Sequence, residues 1–140
     1  MQAKSNRGSS HEFVRRFEGL DIPAGSFHHK EHIFLAWLYL QDLPLHEVLQ
    51  RYPIAIKRYA KHVGADDLYH ETITFAFLFL INERVEENQD ADWDTFCSDN
   101  PDLFERDLAA ILRYYSPELL FSDRAKRMFV MPDIASGRAT

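Results

Sequence analysis

Apolar residues recur along this chain at three- and four-residue spacing, the period of helices with one buried face. Phe13, Val14 and Phe17 share a face of a short helix predicted from His11 to about Glu18, with Ser9 or Ser10 as its cap. Met1–Ser10 ahead of it reads as a mobile tail, and Gly19–Ser26, with Pro23 and Gly25, as a loop. A second helix is predicted over His28–Asp42, capped by Ser26. From Ile33 to Leu40 it is apolar all the way round, the mark of a helix buried on most sides.

Pro44 ends that helix or opens the next, which spans Pro44–Val63. Leu45, Val48, Leu49 and Tyr52 start its stripe, and Ile56, Tyr59, Ala60 and Val63 continue it. Pro53 in the middle removes a backbone donor, so a kink or break is expected near Gln50–Pro53, and Gly64 is a natural stop. The fourth helix is predicted from Asp66 or Asp67, acting as cap, to Val85. Its stretch Thr72–Ile81 is rich in β-branched and aromatic residues, yet the run through Asn82–Val85 without a breaker favours helix over strand. Glu86–Asp92 reads as a loop and Trp93–Ser98 as a short helix. Pro101 opens a longer helix reaching Tyr115, and Ser116-Pro117-Glu118 forms a cap with a first-turn proline. A last helical piece covers Leu119–Met128, and the end from Pro132 is expected to fray.

These elements predict an all-α fold, an irregular or orthogonal bundle of five to seven helices around two central apolar ones. One domain is expected over residues 11–134, with 135–140 a frayed C-terminus. The length, 140 residues, suits a single domain. Composition sharpens this picture: eleven Phe, six Tyr and two Trp stand against five Gly and six Pro, which favours long regular elements. A net charge of −6 with scattered basic residues argues against nucleic-acid binding, and Arg124, Lys126 and Arg127 read as a solvated face. The longest apolar runs, Ile33–Leu40 and Phe75–Ile81, fall far short of the roughly 20 residues that span a membrane. With no signal-peptide pattern at the start and one cysteine, a cytoplasmic protein is expected. Cys97 has Asp94 and Asp99 nearby, a setting that raises a thiol pKa and works against a reactive thiolate.

The candidate chemistry lies in the seven histidines. His11, His46 and His62 sit among charged neighbours and read as surface residues. His29 and His32 are three apart and His28 and His32 four apart, so either pair can present two rings to one point. His70 holds the matching place at the start of helix four. If the two apolar helices pack side by side and parallel, His29, His32 and His70 converge on a polar pocket above the aromatic core, near two positive helix ends. Three imidazoles with an open fourth position suit a divalent metal such as Zn, with Glu31, Glu71 or Asp67 as base or supporting partner and hydrolysis as the chemistry. Tyr69 and Thr74 are expected beside His70, Thr74 rather than Thr72, because the two threonines fall on opposite faces. No His-Glu-x-x-His occurs. Asp67-Leu68-Tyr69-His70 is the only approach to the Glu-x-x-His pair of di-iron bundles, and no Gly-rich phosphate loop is present. The bland expectation is that these histidines bond carboxylates or backbone carbonyls at helix starts, and that Thr74 bonds back to its own helix.

The stretch from Phe27-His28-His29-Lys30-Glu31-His32 to Ala36-Trp37-Leu38-Tyr39-Leu40, with Tyr69-His70-Glu71-Thr72-Ile73-Thr74 and, later, Tyr114-Tyr115-Ser116 and Pro132-Asp133, resembles a family of small uncharacterised bacterial all-helical proteins. The resemblance covers roughly Phe27–Asp133. It implies a compact bacterial helical protein and carries no activity, substrate or cofactor. The leading expectation is therefore a histidine-lined pocket, formed by His29, His32, Tyr69, His70 and Thr74, for a metal or a small anionic ligand. The competing expectation is a non-catalytic module whose aromatic surplus serves packing and a homodimer or partner interface.

Overall fold

The computed structural model describes residues 7–134, with side chains from residue 11 onward. Eight α-helices and no strand occur among the described residues: α1 (Arg7–Glu18), α2 (His29–Asp42), α3 (Leu45–His62), α4 (Glu71–Glu87), α5 (Trp93–Asp99), α6 (Ala109–Leu112), α7 (Pro117–Leu120) and α8 (Asp123–Arg127). Short 3-10 turns cover Ala24–Ser26, Asp66–Leu68 and Pro101–Phe104. The all-α bundle follows the hydrophobic pattern. The terminal stretches Met1–Asn6 and 135–140, expected to be mobile and frayed, lie outside the described residues. From Arg7 the chain is already helical, so Ser9 and Ser10 fall inside α1 rather than before it.

Helices α2 and α4 form the centre and pack on each other. Helices α1 and α3 cover one side of them, while α8 and the C-terminal segment lie against α4. In α2 the run Leu35–Tyr39 is buried without a break, as its all-round apolarity requires. An aromatic cluster closes the end where α5 packs: Trp93 lies 4.8 Å from Phe34, 5.4 Å from Trp37 and 5.8 Å from Phe104 between ring centroids. Buried hydroxyls tie the first loops to the core. Tyr59 donates to the Ile22 carbonyl at 2.8 Å, and Tyr39 donates to Glu18, whose carboxylate also receives Arg51. No helix among the described residues is long and apolar enough to cross a membrane.

The predicted boundaries depart from the structure at five further places. Helix α3 runs unbroken through Pro53, which is itself buried. The stripes on both sides of the proline pack into one core, and that burial outweighs one missing backbone donor. Ser26 belongs to the preceding 3-10 turn, and the cap of α2 is instead His28, whose N–H is received by Glu31 at 2.8 Å. Helix α4 starts four to five residues later than Asp66 or Asp67. Those aspartates form a separate turn, and His70 is the cap: its Nδ1 accepts from Ile73 N at 3.1 Å. The helix expected from Pro101 to Tyr115 is split by Leu108, which adopts a left-handed φ of 64°. Asp107 accepts from Ala109 N at 3.1 Å and starts α6 afresh. The piece expected over Leu119–Met128 is divided by Ser122, whose Oγ accepts from Ala125 N. Ser116 and Pro117 open α7 as the sequence predicts, with Ser116 accepting from Leu119 N.

Beyond α8 the chain runs extended as a strap across α4. Thr72, fully buried, holds it twice: Oγ1 donates to Met128 O at 2.9 Å and accepts from Val130 N at 3.1 Å. Tyr115 donates to Val130 O at 2.7 Å.

Candidate functional site

The N-terminal ends of α2 and α4 meet at a cavity of about 220 Å³. His29 and His32 from α2 line it, as do Tyr69, His70 and Thr74 from the start of α4. Helix α3 contributes Tyr52 and Ile56, and the deeper wall is apolar, with Ile33, Ile73, Phe77, Leu78 and Ile81. Leu68, 79% exposed, stands at its rim. Among the described residues, no Lys, Arg, Asp or Glu side chain lines the cavity. His28 is exposed and turns to Glu31 instead, and His11, His46 and His62 are exposed as expected.

Two of the three histidines are structural. His29 Nε2 lies 2.9 Å from the Leu103 carbonyl and His70 Nε2 lies 2.8 Å from the Leu120 carbonyl. A carbonyl only accepts, so both nitrogens carry hydrogen. His70 accepts from Ile73 N with its other nitrogen, which leaves the neutral ring no free lone pair. Burial holds its pKa below the ordinary histidine value, with the Leu120 carbonyl opposing. This is the bland expectation for helix-start histidines realised at two positions.

His32 differs. Its ring packs 4.4 Å from Phe27, centroid to centroid, and makes no hydrogen bond to any described residue. Burial pushes its pKa down to about 4, His29 pushes the same way and Glu31 opposes. At neutral pH it is an uncharged imidazole with one donor and one acceptor left open. The hydroxyls around it are engaged: Tyr52 donates to His32 O at 3.0 Å, Tyr69 to Glu71 at 2.7 Å and Thr74 back to His70 O at 2.8 Å. Thr74 thus shares the cavity with His70, and Thr72 faces the strap.

The metal expectation for His29, His32 and His70 does not fit this geometry. Among the described residues no three His, Cys, Asp or Glu side chains group so as to hold a metal ion. The physical reason is that His70 has both nitrogens committed, and His29 has one held by Leu103. The supporting carboxylates are engaged too: Glu31 takes the His28 N–H, while Glu71 takes the Tyr69 hydroxyl and lies 3.6 Å from Lys57. Within the basic cluster, exposed as expected, Lys126 donates to the carbonyls of Asp67 at 2.6 Å and Tyr69 at 2.8 Å, which fixes the turn at the cavity rim.

Sequence spacing found the polar wall but missed Tyr52, Ile56 and Leu108. The stripe of α3 marks Tyr52 and Ile56 as inward-facing, though nothing in it says which element they meet. Leu108 reaches the cavity through a left-handed backbone that no local signal announces. A second concavity, about 450 Å³, was not foreseen. It runs between α4 and the strap, lined by Phe79, Leu80, Tyr114, Phe129 and Met131 among others, with Glu83 beside it. Comparison with protein-family models finds no match, and neither curated proteins nor solved structures give one.

Proposed function

We propose that this protein binds a small organic molecule, without a metal, in the cavity between α2, α3 and α4. The observation that carries the reading is His32, whose ring makes no hydrogen bond to a described residue and faces a cavity with an apolar depth and, among the described residues, no lining lysine, arginine or carboxylate. Its ring nitrogens are not sealed from solvent, so a ligand in the cavity can take up the open donor or acceptor in place of water. The volume of about 220 Å³ exceeds the cavity of about 150 Å³ that takes benzene, and is below the range of drug-sized pockets. One ring or two fused rings fit. Ligand-observed NMR with phenol and toluene tests this: saturable binding in the wild type, lost in Ile73→Phe, is expected. Binding of neither compound at millimolar concentration refutes it.

A small anion, the other ligand expected from the helix starts, is less well served. The positive ends of α2 and α4 already face Glu31 and the His70 nitrogen. A cytoplasmic setting belongs to the same proposal, supported by the free thiol of Cys97. A homodimer or partner interface is the second reading. It is favoured by Phe79 and by Met131, 73% exposed, beside the groove of α4. A strictly monomeric sedimentation profile at high concentration counts against the homodimer.

A further inference from the structure

The polar wall of the cavity is unequal in donors and acceptors. The hydroxyl hydrogens of Tyr52, Tyr69 and Thr74 all point to partners within the protein, while each oxygen keeps a lone pair. His29 uses its Nε2 hydrogen on the Leu103 carbonyl. His70 offers neither a free donor nor a free acceptor. His32 alone retains a donor, together with an acceptor. The wall therefore presents an excess of acceptors and, among the described residues, no lysine, arginine or carboxylate.

A carboxylate or phosphate entering this space would face lone pairs and lose its hydration with no cation in the lining. An ammonium group would find acceptors but no lining carboxylate to repay its desolvation. An uncharged N–H or O–H group meets neither penalty.

Building on the binding function proposed above, we infer that the ligand is an uncharged molecule of one or two fused rings that donates an N–H or O–H hydrogen bond to the imidazole of His32. The apolar depth between Ile33, Ile73 and Ile81 takes the ring system, and the polar head lies at the helix starts.

Indole, benzofuran and benzoate test the inference on the full chain. Indole and benzofuran have nearly the same shape, but an ether oxygen replaces the N–H donor. Indole is expected to bind about tenfold more tightly than benzofuran, the factor typical of one matched hydrogen bond. Benzoate is expected not to bind. In His32→Phe the preference for indole should fall to near unity. In wild-type protein the acceptor nitrogen of His32 should shift upfield in ¹⁵N spectra on adding indole, a readout that does not depend on the variant folding. Equal affinity for indole and benzofuran, or tighter binding of benzoate, overturns the donor assignment while leaving the cavity as a binding site. An unchanged preference in His32→Phe, or an unmoved His32 resonance, overturns the role of His32. Binding of none of the three overturns the binding function as well.

Discussion

Replacing His32 by Phe should stabilise this protein in acid, with a gain that grows as the pH falls. The phenyl ring keeps the packing against Phe27 and removes two polar atoms that have no partner among the described residues. At pH 7.5 the two proteins are expected to lie within about 0.5 kcal/mol of each other, because no side-chain nitrogen or oxygen buried from solvent lacks a partner among the described residues. Acidification widens the difference between the two proteins. The His32 pKa is lowered from 6.5 to about 4 by burial. Between pH 7.5 and 5.0 the unfolded ring takes up nearly a full proton and the folded ring only about a tenth of one. The unfolded state binds more protons in this window, so stability falls with pH, by about 2 kcal/mol for this group at pH 5.0. His70 acts in the same direction, but equally in both proteins. Urea denaturation of wild type and His32→Phe at pH 7.5 and 5.0 isolates the His32 contribution as a difference of differences. The same pH dependence in both proteins refutes the reasoning: the His32 ring would then take up its proton as readily in the folded protein as in the unfolded chain.

Three further outcomes follow from the packing. Thr72→Val keeps the shape of a fully buried side chain but strands the Met128 carbonyl and the Val130 N–H; a loss of about 2–4 kcal/mol in chemical denaturation is expected, with faster amide exchange in the strap. Asp102 receives two bonds from Arg84 at 2.9 Å and one from Arg113 at 3.3 Å, and the Arg84 contact holds its pKa below the ordinary carboxylate value. That stabilisation is present above the unfolded carboxylate pKa and is lost as pH falls through the lower folded one, so Asp102→Asn should be destabilised at pH 7 and show a shallower loss in strong acid, followed by circular dichroism. Burial raises the Cys97 thiol pKa, with Lys30 opposing and Asp94 adding to it, so its alkylation by iodoacetamide at pH 7.5 should be slower than that of free cysteine.

The strongly periodic parts of the fold were legible because burial sets them. The all-round apolarity of Ile33–Leu40 announces the central helix, and Phe13, Val14 and Phe17 announce α1. The misplaced boundaries share one cause. Local capping chemistry was available at several neighbouring positions, and tertiary partners decided among them. Asp66 and Asp67 are stronger caps than His70 by composition, yet His70 is held by the Leu120 carbonyl fifty positions away, and the helix begins there. Leu108 and Ser122 broke predicted helices for similar reasons: one adopts a left-handed turn that carries its side chain to the cavity, the other caps α8. Within the site, spacing brought His29, His32, Tyr69, His70 and Thr74 to one cavity. Spacing could not say which ring nitrogens were taken. The carbonyls of Leu103 and Leu120 come from distant loops, and they separate the two structural histidines from His32.

The central claim is that the His32 cavity, and not the groove beside the strap, receives a small uncharged molecule. Isoleucine-methyl NMR during an indole titration addresses it directly, because Ile33, Ile56, Ile73 and Ile81 line the cavity and Ile111 lines the groove. Saturable shifts at the first four, with Ile111 unmoved, are the predicted result. Shifts led by Ile111, or none at any of the five, would contradict the claim.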